Sequence, residues 1–387
     1  MSTSVDLINL APALEVALLG ALLAGIPVAV VARQSRRAGL TGWAAWQRAL
    51  TVATLFLTID LVVFGAFTRL TDSGLGCPDW PGCYGETSPW GAKAHINQAL
   101  AVSPTGPVSH SKAWIEMIHR YMATGVGALI TLLMVQAWRM RDRPGALSPW
   151  WATATFVWVC VQGAFGALTV TMKLQPIIVT GHLLGAMLGV GLLTAQARKT
   201  EAWVGDAASH AAWRQAPQRR AAWWVMAICV LQMASGAWVS TNYAVLACDT
   251  FPMCQNSWWP AMDFETGFHL WRPLGTDGQG GWITLAALTA IHMTHRWMAL
   301  LAVGSLLWLA WVLRARVEWQ SDRRWLLGLA TWQVATGLSN VVLDWPLASA
   351  LGHTLGAALI IWRLTKWAVV PVYQGDSAGV VQGRHPQ

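Results

Sequence analysis

Charge is what this sequence has least of. Asp, Glu, Lys and Arg make up 11% of its 387 residues, while 55% are hydrophobic. A soluble domain carries about 25% charged side chains, so a chain composed mainly of soluble domains is excluded. Cysteine is scarce too, at six, and no two are as close as the Cys-x-x-Cys of a dithiol redox site. Signal-peptide and transit-peptide signatures are absent. The first apolar run, near 10–32, has no basic segment before it and is long enough to span a bilayer. No apolar run is visibly interrupted at its middle, which argues against a transporter built on broken helices.

Apolar sequence punctuated by tryptophan is what the chain has in quantity. The 27 Trp include Trp150, Trp151, Trp223, Trp224, Trp258 and Trp259, placed where a span meets the headgroup level. The apolar runs predict nine spans, near 10–32, 49–68, 114–138, 150–170, 177–197, 221–240, 286–313, 325–343 and 347–367. The expected fold is therefore all-α and polytopic. Nineteen of the 26 Lys and Arg fall on one set of alternating connections and seven on the other. The positive-inside rule then predicts an outer N-terminus and a cytoplasmic C-terminus. It also accounts for the net charge of +8 without nucleic acid as a partner.

Slid against itself by 171 residues, the sequence repeats. "GAFTRLTDSGLGCPDWPGC" (65–83) falls on "GAWVSTNYAVLACDTFPMC" (236–254), with both cysteines aligned. "QGAFGALTV…GHLLGA" (162–186) falls on "QVATGLSNV…GHTLGA" (333–357), and "HRYMATGVGAL" (119–129) matches "HRWMALLAVGS" (295–305). Both units start on the same side, so a parallel duplication is expected: two pseudo-symmetric four-helix bundles plus one extra N-terminal span. The expected divisions are 1–48 for the extra span and linker, 49–200 and 221–370 for the two units, 201–220 for a cytoplasmic linker, and 371–387 for a cytoplasmic tail.

The frame singles out four histidines: His119 and His182 in the first unit, His295 and His353 in the second. His119 and His182 are each expected about five residues into a span, roughly 7–8 Å below the outer boundary. Two imidazoles at similar depth on different helices of one bundle can clamp a flat ligand such as haem. A lone intramembrane histidine is more often a packing residue, but four in a duplicated frame favour ligation. Zinc or copper fits less well, because no Cys or carboxylate cluster accompanies them. His95, His110, His210, His269 and His385 are read as surface residues. Arg69, Arg120 and Arg296 stand at the outer end, where a guanidinium pairs with a propionate or merely anchors at the interface. Gly125, Gly127, Gly181, Gly185, Gly189, Gly352 and Gly356 flank the histidines and leave room for close helices or a planar ligand.

The halves differ at one place. "EMIHR" in the first unit faces "HMTHR" in the second, so Glu116 lies one helical turn before His119 while His292 takes its place in the second. A carboxylate there can move a proton or stabilise positive charge, or it is only an acid near a helix N-terminus. Cys77 and Cys83 bound one outer loop, Cys248 and Cys254 the other. A disulfide across so short a loop contributes less than the roughly 3 kcal/mol of a 15-residue loop. Its expected role is to hold a cap over the bundle mouth, with redox chemistry as the sharper alternative. Cys160 and Cys229 are expected to pack inside spans.

Taken in order, these motifs resemble the haem A synthases, bacterial relatives of the mitochondrial Cox15-type proteins, over about 51–366. The resemblance implies oxidation of the C8 methyl of haem O to a formyl group by successive hydroxylations, with a gem-diol losing water. It implies haem b as cofactor on His295 and His353, and substrate haem O between His119 and His182 with Glu116 as the catalytic carboxylate. Disulfides in the outer loops and a bacterial inner-membrane location are implied as well. The implied partners are haem O synthase as donor, oxidase assembly factors as acceptors, and membrane lipid, with self-association as a further candidate. Against this stand a non-enzymatic dihaem b cytochrome exchanging electrons with a quinone, and a thiol–disulfide oxidoreductase, which would not need paired histidines.

Overall fold

A computed structural model describes residues 7–37, 42–143, 146–201, 207–315 and 317–371. Arg316, Arg384, His385 and nearly all of the expected tail at 371–387 lie outside the described residues. The long helices are α1 (Ala13–Arg37), α2 (Trp43–Leu70), α4 (His110–Arg139), α5 (Pro149–Thr171), α6 (Pro176–Lys199), α8 (Pro217–Thr241), α10 (Leu285–Val312), α11 (Gln320–Val342) and α12 (Leu347–Ala368). Three short helices, α3 (Lys93–Val102), α7 (Ala207–Gln215) and α9 (Phe264–Gly267), lie in the connections. Two-residue strands β1 (Ile8–Asn9) and β2 (Trp80–Pro81) pair in parallel.

Local chemistry sets the helix starts. Pro149, Pro176 and Pro217 stand at the first positions of α5, α6 and α8, where a missing N–H costs nothing. Ser109 and Thr284 cap α4 and α10 by accepting from the backbone N–H groups of Lys112 and Ala287. The Ser109 cap carries α4 about one turn further out than the expected start at 114, which places His119 deeper along its helix.

Among the described residues, eight helices are long and apolar enough to cross a membrane: α1, α2, α4, α5, α6, α8, α10 and α12. The expected span near 325–343 coincides with helix α11, which packs beside α10 and α12 but is not among these eight. Its polar content, including Asp322, Arg323, Arg324, Gln333, Ser339 and Asn340, keeps it out of that apolar set.

The packing forms two rings. Helices α2, α4, α5 and α6 close one, and α8, α10, α11 and α12 the other. The rings meet where α6 packs on α12, α2 on α12, and α6 on α8. Three hydrogen bonds join residues 171 apart: Arg69 Nη2 to the Ser240 carbonyl at 2.5 Å, Tyr243 Oη to Asp72 Oδ1 at 2.5 Å, and Arg198 Nε to the Val369 carbonyl at 3.3 Å. The α5–α6 and α11–α12 turns each carry two consecutive left-handed residues, Lys173–Leu174 and Asp344–Trp345.

Helix α1 lies outside the first ring, against α4 and α2. Gly20 permits the approach, since a Cβ there would fall 2.5 Å from Thr124 Cβ. The segment before α1 reaches the first cysteine loop, where the Trp80 backbone N–H donates to the Leu7 carbonyl at 3.0 Å.

The main apolar core fills the end of the rings away from the cysteine loops. Leu50, Leu133, Leu193, Val225, Leu309, Leu329 and Leu364 meet there and are almost completely buried. Smaller clusters sit at the other end, beneath the loops: Val16, Cys77, Cys83, Ile96 and Met117 in one, Cys248, Cys254 and Met293 in another. The four histidines lie along the helices between these layers.

Candidate functional site

Each of the four histidines faces a glycine on the neighbouring helix. A Cβ on Gly65 of α2 would fall 3.0 Å from His119 Nε2, and one on Gly236 of α8 would fall 2.9 Å from His295 Cε1. On α5, a Cβ at Gly166 would stand 3.7 Å from His182 Cε1, and on α11, one at Gly337 would stand 3.3 Å from His353 Cε1. Three of these four approaches are tighter than ordinary van der Waals contact, so these glycines make room for the rings. His119 and His182 are within electrostatic reach of each other, as are His295 and His353.

The expected glycines do other work. Gly181, Gly185 and Gly189 pack against Phe165, Gln162 and Trp158, while Gly352 and Gly356 pack against Trp332. Gly125 faces Gly20 and Leu23 of α1, and Gly127 faces open space. They serve close helix packing, the plainer of the two readings.

The imidazoles differ in what holds them. His353 Nδ1 lies 2.9 Å from Thr336 Oγ1, and His295 Nδ1 lies 2.9 Å from Ser235 Oγ. His182 Nδ1 is buried with no hydrogen-bond partner. His119 has Phe64 nearly parallel to it, ring centroids 6.4 Å apart.

Two disulfides close the caps, Cys77–Cys83 and Cys248–Cys254. Each cap repeats a backbone pair, Cys83 with Glu86 and Cys254 with Ser257. Each is also gripped by an arginine. Arg120 Nη1 donates to the carbonyls of Asp79 at 2.9 Å and Pro81 at 3.3 Å, and also to that of Gly82. Arg296 donates to the carbonyls of Met253 and Thr250, both at 3.0 Å, and more loosely to Pro252 and Cys248. These guanidiniums spend their donors on cap backbone. Arg69 instead sits where the rings meet, its guanidinium 4.0 Å over the Tyr243 ring and 3.3 Å from Asp72. In the first cap the Asp79 carboxylate accepts from the Tyr84 and Gly85 N–H groups. Burial, together with that carboxylate, pushes the Tyr84 phenol up.

Glu116 belongs to this cap. Its Oε2 accepts from the Cys77 N–H at 2.8 Å, and its Oε1 accepts from Arg120 Nη2 at 2.5 Å, with both side chains buried. At the corresponding position His292 Nδ1 bonds the Ala244 carbonyl at 2.9 Å. The carboxylate and His119 thus sit one turn apart on α4, one tied to the cap and the other to the glycine of α2.

The other cysteines and histidines divide by packing. Cys229 is buried in the core, but Cys160 is exposed on the outer face of α5, which corrects the expectation that both pack inside. His95 and His269 are exposed, and His110 Nε2 lies 2.7 Å from Asn97 Oδ1. Sequence reasoning passed over Asp60 on α2, an acid inside the apolar run "LTIDLVVF" with no ion pair or hydrogen bond among the described residues. A lone carboxylate in such a run is itself a signal.

Among the described residues no three His, Cys, Asp or Glu side chains converge as a bare metal ion requires. A haem needs only an axial imidazole on each side. The glycine-backed histidine pairs fit that group.

Comparison with known proteins follows the same line. The profile of the COX15-CtaA family, described as cytochrome oxidase assembly protein, matches residues 48–365. A protein of Shewanella oneidensis named "Heme A synthase" is 35% identical over 311 residues, covering 80% of this chain and 92% of its own. Proteins of the same name from Rhizorhabdus wittichii and Halalkalibacterium halodurans are 27% and 26% identical, each over 82% of this chain and 91% and 95% of theirs.

Proposed function

From the premise that this multi-pass membrane chain belongs to the COX15-CtaA family of cytochrome oxidase assembly proteins, we propose that it is a haem A synthase. In this reading it oxidises the C8 methyl of haem O to a formyl group through successive hydroxylations, for haem-copper oxidases. The observation that carries the reading is the pairing of Glu116 with His119 beneath one cap, where the other cap has His292 above His295. A carboxylate beside only one histidine pair supports placing the reaction at that pair.

The first unit is then the substrate side. His119 and His182 hold the iron of haem O, and Gly65 and Gly166 leave their rings free to approach it. Both Glu116 oxygens already accept one hydrogen bond, yet each keeps a further lone pair. Those lone pairs can take a proton from an attacking water or stabilise positive charge growing at the methyl carbon. Arg120 is ion-paired to the carboxylate at Oε1.

The second unit is the cofactor side, with His295 and His353 holding haem b. Bound there, haem b would supply a redox-active iron able to exchange electrons. Arg120 and Arg296 hold the caps of the two units, and Arg69, at the junction of the units, would be the arginine to pair with a propionate.

The architecture belongs to the same proposal. Two units from a parallel duplication account for the bonds between residues 171 apart, which arise where equivalent positions face each other across an approximate twofold axis. In that arrangement α11 spans as the counterpart of α5, giving nine spans. The caps then face outward from the bacterial inner membrane, where disulfides persist. Haem O synthase is the natural donor of substrate and oxidase assembly factors the natural acceptors.

A dihaem cytochrome is the competing reading, and it has no use for the Glu116/His292 difference. Pigments extracted after co-expression with haem O synthase separate the two. Haem A in the extract is expected; haem b alone, with haem O available, would overturn the proposal.

A further inference from the structure

Three positions in the 171-residue frame set the two histidine pairs apart. Ser235 and Thr336 stand against the imidazoles of the second unit, and the residues in their places in the first unit are Phe64 and Phe165. Gln232, whose amide also reaches His295, is replaced by Leu61. Every polar neighbour of a second-unit ring is thus an apolar side chain in the first.

The hydroxyls fix a tautomer. Thr336 Oγ1 lies 2.7 Å from the Trp332 carbonyl, and Ser235 Oγ lies 2.8 Å from the Gln232 carbonyl. A hydroxyl has one proton, and each is donated to a carbonyl that can only accept. Toward the imidazole these oxygens can therefore only accept, so His295 and His353 carry their proton on Nδ1. Gln232 Nε2 lies 3.1 Å from His295 Nδ1 and its Oε1 3.3 Å from Ser235 Oγ; with the amide turned over, a choice the two ends' near-equal shape allows, the oxygen accepts from Nδ1 and the nitrogen donates to Ser235. The Nε2 lone pair of each ring is then free for a metal, and the hydrogen bond at Nδ1 raises its donor strength.

The first unit has no such device. His182 Nδ1 is buried without a partner, and Phe165 packs on Gly181 beside it. Phe64 lies parallel to His119, and His119 turns Nε2 toward its glycine where His295 turns Cε1 and Nδ1. Nothing at either ring selects the tautomer or the orientation that ligates.

We propose that Ser235 and Thr336 are positioning residues that make the second unit a retaining haem site. Phe64 and Phe165 leave the first unit a site from which a haem exchanges. The inference rests on the reading above and deepens it: a cofactor must stay through many turnovers, whereas a substrate must enter and its product must leave. The hydroxyl-to-phenyl difference supplies that distinction without changing the ligand.

The test measures haem b release from detergent-purified full-length protein to excess apomyoglobin, together with the midpoint potential of the retained haem. Removing an outer hydrogen-bond partner of a ligating histidine costs roughly 10- to 100-fold in affinity. The Ser235→Ala/Thr336→Ala double variant should release haem faster by about that factor, with a raised midpoint potential, since a weaker imidazole donor stabilises the ferric iron less. Ser235→Thr and Thr336→Ser should restore both readouts, which a general loss of packing would not allow. Phe64→Ser/Phe165→Thr, reloaded with haem b, should slow release from the first unit. Unchanged release and potential in the double alanine variant would overturn the inference. The reading beneath it fails differently: His353→Ala would then keep the bis-imidazole spectrum of the parent protein.

Discussion

Glu116 and Cys77 are joined directly, carboxylate Oε2 to backbone N–H at 2.8 Å. The bond ties the acid one turn above His119 to the first residue of the disulfide loop. Whatever moves this cap moves the carboxylate, so cap and Glu116 are coupled in the first unit. In the second unit the corresponding side chain, His292, bonds the Ala244 carbonyl instead.

Arg120 holds this arrangement together. It neutralises Glu116 and grips three cap carbonyls from a buried position. Removing one partner of a buried ion pair costs about 3–5 kcal/mol. Arg120→Ala should lower the opening free energy of the first cap by that order. Hydrogen exchange at Tyr84–Thr87 reports it, while exchange around Cys254 stays unchanged.

The N-terminal segment is a second clamp on the same cap. Strand β1 pairs with β2 inside the Cys77–Cys83 loop, and Val16 of α1 packs in the cluster beneath it. Deleting residues 1–36 should raise hydrogen exchange at Trp80 and Cys83 and leave the second cap as it was. Equal loosening of both caps would contradict a specific clamp.

The histidine-facing glycines should be intolerant of a single methyl. Gly236→Ala brings a Cβ to 2.9 Å from His295, and Gly65→Ala brings one to 3.0 Å from His119. Gly163 and Gly304 meet nothing within 4 Å and serve as controls. Gly236→Ala should reduce low-spin haem in the purified protein severalfold, and Gly163→Ala should not, as read from absorption spectra and pyridine haemochromes.

Much of this was legible in the chain because hydrophobic runs and a fixed frame are one-dimensional signals. The frame aligned His119 with His295 less closely than His182 with His353, yet all four rings share the same glycine-backed setting. The cysteine pairs were legible for the same reason. Other features depend on which helix lies beside which. Gly65 and Ser235 sat unremarked within the repeat, because only the α2–α4 and α8–α10 contacts show what they touch. Arg120 and Arg296 read equally as propionate partners or interfacial anchors, and their bonds to the cap carbonyls were hidden, since sequence places an arginine at a depth without saying which acceptors reach it. The strand pairing between Ile8 and Trp80 joins segments too short to show a pattern. Helix α11 was legible as the apolar run near 325–343 despite its polar residues, but only packing places it beside α10 and α12.

The most direct test of the account is the haem composition of a Glu116→Ala variant co-expressed with haem O synthase, beside the parent protein. Haem O should remain bound through His119 and His182 while haem A falls to background, since the ligands are intact and the carboxylate is gone. Haem A at the parent level, with haem O bound, would contradict the role of Glu116 and with it the assignment of the reaction to the first unit.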